Sequence, residues 1–344
     1  MTNYTIKDVS TAEQKKLQRF LDVYWKKGHA LATSSELLRF QHYDKFNDKF
    51  NFLVAENKST LEYDALIGYI PTSQYDSDLL ENGDYWGAIW KIRDDISNDE
   101  LNAAGFFIWK KLFKLPYFQS YAAIGISEIA KKIYKASRMS LGYLSHYFVL
   151  NNNIDSFKIA ANVSSSNKSS LNNVNGMNKI KWISLSDVNP NDVHACYKPH
   201  KSLAYFANRY VQHPIYQYRF LGIYENDTLL SLWSVRKISI NGSNVLRVVD
   251  VLGELKGDLH QQLQLLLIEE DAEYIDFLNF GFDKSIFEQM GFQELDFNDD
   301  LIIPNYFEPF EQKNVKVELA YKANFQYIAF KGDADQDRPT LLQS

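Results

Sequence analysis

The sequence predicts an α/β protein made of two similar halves, each with a mixed central sheet. Three observations carry this. The stretch from Asn244 to Phe292 parses as an apolar strand, a short loop, an amphipathic helix, a second strand, a helix and a Gly-Phe stop. The stretch from Asp84 to Ser137 repeats that order, and each copy follows a hairpin. Between the copies lies a Ser/Asn-rich segment, Ala161 to Asn178, with the composition of a linker. Hairpins pair antiparallel and a strand-helix-strand crossover pairs parallel, so each sheet is mixed. The expected domains are 1–165 and 166–344.

Length supports two cores, since 344 residues exceed one ordinary domain. With 22 Tyr and 23 Phe, the chain reads as packed and globular. A net charge of −6 supplies no general attraction to nucleic acid or to anionic membranes. Cys196 is the single cysteine, which excludes an internal disulfide. No signal peptide and no apolar run of transmembrane length is present, so a cytoplasmic location without membrane insertion is expected. The sequence has no metal-ligand spacing, no phosphate-binding GxxxxGK and no GxSxG.

In chain order, the first helix covers TAEQKKLQRFLDVYWK, with Thr11 as N-cap and Leu17, Phe20, Leu21 and Tyr24 on one face. Strands at Phe50–Asn57 and Tyr63–Pro71 form a hairpin. Asp84–Asp95 is a strand, and the helix from Glu100 buries Leu101, Ala104, Gly105, Ile108 and Leu112. SYAAIGI, SEIAKKIYKAS and LGYLSHYFVLN read as strand, helix and closing strand. The second half begins with the strand KIKWISL and a helix around NDVHACYK. The hairpin FLGIYEN with TLLSLWSVRKIS and the β-α-β-α unit follow. The tail adds IIPNYFEPF, the strands VKVELAY and QYIAF, and a polar ending.

Within Val245 to Leu252, strict alternation puts Val245, Arg247, Val249 and Val251 on one face and Leu246, Val248, Asp250 and Leu252 on the other. Both faces are apolar, so the strand is central. A carboxylate there pairs with a core Arg, caps a neighbouring loop, or faces a ligand. Ligands of open α/β sheets bind beyond the carboxyl ends of strands, which marks the loop Gly253–Asp258 as a candidate site.

Asn208-Arg209-Tyr210 with His213-Pro214, the run Ile303 to Phe310, and Lys331-Gly332-Asp333-Ala334-Asp335-Gln336-Asp337-Arg338-Pro339 carry a resemblance, which spans nearly the whole chain. With the element order, they resemble the tandem Gcn5-related acetyltransferase fold of the Fem-type peptidyl transferases. The nearer resemblance is to bacterial tandem acyltransferases that move a 3-hydroxybutanoyl group onto a dTDP-linked amino sugar for surface polysaccharide such as O-antigen, lipopolysaccharide or capsule. The resemblance implies acyl-coenzyme A, 3-hydroxybutanoyl or acetyl, as donor. It implies a dTDP- or UDP-linked amino sugar as acceptor, without metal or nucleic acid. The same fold also serves tRNA-dependent aminoacyl transferases and non-catalytic binding modules.

For that reaction Asp250 is the candidate base toward the attacking amine, with Glu254 second. Arg209, Arg219, Lys331 and Arg338 are candidate diphosphate partners, since guanidinium forks suit that geometry. Asp335 and Asp337 are candidates for ribose and sugar hydroxyls, and Tyr306 for stacking on the base. His213, Arg247 and Asn279 complete the expected binding set. The usual Q/R-x-x-G-x-G/A loop of this fold is missing: Gly253–Asp258 and Arg93–Asp99 both carry acidic residues where a pyrophosphate would lie.

Overall fold

The computed structural model describes residues 3–168, 178–334 and 337. In the first half the strands are β1 (Tyr4–Ser10), β2 (Tyr43–Asp44), β3 (Lys49–Asn57), β4 (Tyr63–Pro71), β5 (Asp84–Ile92), β6 (Ser120–Ile124) and β7 (Ser140–Tyr143). Next come β8 (Ser145–Leu150), β9 (Asn178–Ile183), β10 (Arg219–Glu225), β11 (Thr228–Ile240), β12 (Ser243–Gly253), β13 (Ala272–Phe280) and β14 (Gln293–Glu294). The tail adds β15 (Tyr306–Phe307), β16 (Phe310–Glu311), β17 (Glu318–Lys322) and β18 (Ala329–Phe330). The α-helices are α1 (Gln14–Phe20), α2 (Ala30–Thr33), α3 (Ser35–His42), α4 (Asp99–Leu112), α5 (Glu128–Ala136), α6 (Leu203–Phe206), α7 (His260–Glu269) and α8 (Lys284–Gln289). A π-helical turn, Ala207–Val211, extends α6.

Two mixed sheets form the expected α/β pair. The first runs β1-β3-β4-β5-β6-β17-β7 and the second β14-β8-β13-β12-β11-β10-β9. The parallel step is β5-β6 in one and β12-β13 in the other, each spanned by a crossover helix, α4 or α7. The expected face of α4 is the buried one, through Leu101, Ala104, Gly105, Ile108 and Leu112.

The sheets exchange strands. The stretch read as one closing strand divides at Leu144 into β7, an edge of the first sheet, and β8, which pairs with β13 in the second. In return the tail strand β17 lies between β6 and β7. Each sheet thus takes a strand from across the expected 165/166 boundary. One apolar cluster joins them: Ile70, Trp86, Ile124 and Leu319 meet Leu232, Val249, Leu252 and Leu278, with Tyr205, Phe206 and Tyr210 between.

Three further local expectations are corrected. The first helix is capped by Ser10 rather than Thr11, because the Glu13 side chain reciprocates to the Ser10 N–H. Residues around NDVHACYK form turns and not a helix. Asn189 captures the Asn191 and Asp192 N–H groups, and Pro190 and Pro199 bracket the segment. The helix of this region is α6 with its π turn. Finally, strict alternation fails in β12: Ser234 faces Asp250 while Val235 faces Val248, so Val249 is an extra residue in a bulge. The bulge turns Asp250 and Leu252 to the side that carries Arg247 and Val249, and Val251 to the side of α7.

A 1–165 fragment lacks β17 and leaves β6 and β7 without their shared neighbour. We expect it to aggregate or to melt without cooperativity by circular dichroism, whereas the full chain melts cooperatively. A monomeric fragment with a sharp transition would contradict this dependence.

Candidate active site

A cleft of about 1470 Å³ opens between the halves. Asp76 and Leu79 contribute from the first half, and Lys201, Tyr210, His213, Tyr218 and Leu252 from the second. Under its floor lies a fully buried polar array centred on Asp250. Lys201 Nζ is 2.6 Å from Asp250 Oδ1 and 2.6 Å from Asp333 Oδ1. The Tyr210 hydroxyl donates to Asp250 Oδ2 at 2.6 Å, and the Val251 N–H donates to Oδ1 at 2.9 Å. Asp333 Oδ2 accepts the Phe330 N–H at 2.8 Å.

One ammonium between two carboxylates leaves the array acid-rich. Burial, opposed by Lys201 and reinforced by Asp250, pushes the Asp333 carboxyl up to about 6. Burial and the Asp250 charge push the Tyr210 phenol up, so its proton stays in place at neutral pH. Tyr210 therefore borders the cleft as a hydroxyl whose proton already points at a carboxylate. Its oxygen can accept a proton from a ligand as its own passes to Asp250.

The tail makes this arrangement possible. The β12-β13 ladder ends at Val248 and Phe277, beyond which the strands diverge. The segment Ala329–Gly332 fills the gap: β18 pairs with β13, the Lys331 N–H donates to the Leu278 carbonyl, and the Gly332 N–H donates to the Val249 carbonyl. A Cβ on Gly332 would stand 2.5 Å from the Tyr210 hydroxyl and 2.8 Å from the Val249 oxygen.

Of the expected site residues, Asp250 is at the centre. Glu254 is exposed, bound to Lys256 at 3.0 Å, and does not line the cleft. Arg209 is buried and donates to the Gly332 and Ala334 carbonyls and to the Tyr75 hydroxyl, so its fork holds the tail rather than facing a diphosphate. Arg219 stacks on Trp182 at 3.6 Å and pairs with Glu270. Arg247 is likewise committed: Nε is 2.9 Å from Asp276 Oδ1, and Nη1 donates to the Asn305 carbonyl. Burial works to raise the Asp276 carboxyl, but Arg247 and His146 overcome it and hold it at about 2.

Asp337 is buried, 2.9 Å from Arg236 and accepting from the Tyr218 hydroxyl. Lys331 is buried against the half-exposed Tyr306 ring, and burial with Arg247 lowers its ammonium to about 8. Asn279 is buried on β13, its Nδ2 without a hydrogen-bond partner among the described residues. Asp335 and Arg338 lie outside the described residues. His213 borders the cleft. Its Nδ1 accepts from the Ile215 and Tyr216 N–H groups, which places the neutral ring's proton on Nε2. Burial and Arg209 lower it to about 4.

Lys201 was not singled out by sequence. It follows Pro199 in the run His200-Lys201-Ser202, and only the fold brings it to Asp250. Tyr210 and Asp333 stand inside the motifs that carry the resemblance, without a sign of their roles. Cys196 is exposed, and partial desolvation of its thiol with Glu254 nearby raises its pKa, opposing thiolate formation. Among the described residues no His/Cys/Asp/Glu group could hold a metal, and no helix is long and apolar enough to cross a membrane.

The loop before α7 fits a coenzyme pyrophosphate poorly. Gly253 and Gly257 supply the positive-φ bends, but Asp258 occupies the His260 N–H and Glu254 holds Lys256.

No protein-family model matches the chain, and no curated protein matches it. Solved structures do. An assigned acetyltransferase from Pyrococcus horikoshii superposes with a TM-score of 0.50 over 95% of this chain and 91% of its own, at 9% identity. A GCN5-related N-acetyltransferase from Anabaena variabilis gives 0.52 over 92% and 72%, also at 9% identity. An Enterococcus faecalis protein described as a probable N-acyltransferase gives 0.52 over 85% and 70%, at 9% identity. The fold is thus that of two GCN5-related N-acetyltransferase-like halves.

Two outcomes are expected. Gly332→Ala lowers stability by about 1–3 kcal/mol in thermal unfolding, because a Cβ meets backbone and phenol oxygen. The His213 pKa lies below its ordinary value near 6.5, so the stability it contributes is present above 6.5 and is lost as pH falls toward 4. Urea titrations at pH 7 and pH 5 should show wild type losing about 2 kcal/mol more than His213→Gln.

Proposed function

We propose that the protein is an N-acyltransferase. It carries a 3-hydroxybutanoyl or acetyl group from coenzyme A to the amine of a nucleotide-linked deoxyamino sugar destined for surface polysaccharide, and it works in the cytoplasm. The observation that carries this reading is the Tyr210–Asp250–Lys201 array beneath a cleft between two acetyltransferase-like halves. The cleft is large enough for an extended ligand, and His213, Tyr216 and Tyr218 line it with rings bearing polar tips. The sugar nucleotide rests on the sequence motifs rather than on a diphosphate cradle, since Arg209 and Arg247 are committed to internal partners.

In this reading the amine nitrogen attacks the thioester carbonyl carbon. Its proton moves to the Tyr210 oxygen while the Tyr210 proton moves to Asp250 Oδ2. The C–N bond forms, the C–S bond breaks, and the thiolate leaves and is protonated, returning the carboxylate to its resting form. Lys201 Nζ stays against Asp250 Oδ1 as its counter-charge. Asp333 holds Lys201 from the other side.

The tail between β12 and β13 and the acidic loop before α7 favour keeping aminoacyl-tRNA as the second donor. Titration with coenzyme A thioesters separates the two: binding supports the main reading, and absence of binding with stabilisation by RNA supports the second. With a competent acceptor, Tyr210→Phe should lower kcat about a hundredfold and leave acceptor KM within about twofold, followed by thiol release. Unchanged kcat removes Tyr210 from the chemistry. Asp250→Asn should also lower kcat, at a stability loss of about 3 kcal/mol, because Lys201 loses a buried counter-charge.

A further inference from the structure

A second cleft, of about 610 Å³, lies on the other side of the α6–π helix from the first. Ala207, Tyr210 and Val211 border the main cleft, whereas Asn208 and Gln212 border this one, and Asp76 borders both. Its deep wall is the β3–β4 hairpin. Asn51 and Tyr69 lie one step beyond the Phe52–Gly68 pair, so their side chains are cross-strand neighbours on one face. Each is only 3% exposed.

Both present an unused polar atom to the cleft. The Tyr69 hydroxyl has no hydrogen-bond partner among the described residues. The Asn51 Nδ2 donates to Gln74 Oε1 at 3.0 Å, and among the described residues no hydrogen bond is made to the Asn51 carbonyl oxygen. Burial pushes the Tyr69 phenol up, so the group is a neutral donor and acceptor. The Tyr69 hydroxyl and the Asn51 amide oxygen, on neighbouring cross-strand positions that line the cleft, offer a ligand a donor and acceptors to meet.

The rest of the lining narrows the ligand. Tyr85, Tyr43 and Phe40 wall the cleft with rings. The cations are not available deep inside: Lys49 is held by Asp8 at 2.8 Å, and Lys45 is exposed over Phe46. That disfavours a phosphate. A vicinal diol meets the deep pair well, since one hydroxyl donates to the Asn51 oxygen while its neighbour accepts from Tyr69. The aromatic walls suit the C–H faces of a saturated ring. We infer that this cleft binds a neutral saccharide unit, distinct from whatever the main cleft takes. The inference stands on its own geometry and does not need the acyl-transfer reading.

Saturation-transfer NMR on the full chain with methyl β-D-glucopyranoside, methyl α-D-galactopyranoside and thymidine tests it. At least one glycoside should show transfer at millimolar concentration. Tyr69→Phe and Asn51→Ala should each weaken it about fivefold, the loss of one hydrogen bond. Because those positions are buried, the exposed Gln212→Trp provides a variant that narrows the mouth without touching the core, and it should also reduce transfer. The proposal is overturned if neither glycoside shows transfer, if only thymidine does, or if transfer survives unchanged in the folded variants.

Discussion

The structure depends on Lys201 lying between two buried carboxylates. Charges taken out of water cost several kcal/mol each, and only close counter-charges with further hydrogen bonds offset that cost. Lys201, Asp250 and Asp333 come from the segment before α6, from the C-terminal half of β12 and from the tail, so the array forms only when three distant parts of the chain are in place. Arg209 on the Gly332 and Ala334 carbonyls and Arg236 on Asp337 repeat the device a few residues along. These buried charges hold the tail together with its strand pairing through β17 and β18.

This explains why the two halves do not separate cleanly. The tail contributes β17 to the first sheet and β18 to the second, and β8 crosses the other way. A strand placed inside a sheet has both edges hydrogen-bonded, so losing it exposes two rows of backbone groups. The apolar cluster from Trp86 to Leu278 adds side-chain packing across the same junction. The main cleft opens along that junction, which gives its walls a source in each half.

Much of the fold was legible in sequence because its signals are local. Hydrophobic periods of two and of 3.6, with turn residues between them, gave both hairpins, both crossover units and the buried face of α4. Where one apolar period ran through a change of sheet, as at Leu144, the pattern showed one strand where there are two. Alternation in β12 failed for a related reason. The bulge at Val249 is set by pairing with β11 and by the Val249 carbonyl's bond to Gly332, neither of which leaves a mark in the period.

For the site, the sequence by itself determined that Asp250 is a carboxylate in a strand apolar on both faces, and hence needs a partner or a ligand. The tail motif stood out only through the resemblance. Only the tertiary structure decided that the partners are Lys201 and Tyr210, that Arg209 and Arg247 serve internal acceptors, and that Glu254 faces solvent. The physical reason is that burial in a strand follows from side-chain period over a few residues. Which charge meets which is set by long-range strand order, by one inserted residue and by the path of the tail, and none of these is encoded in a local repeat.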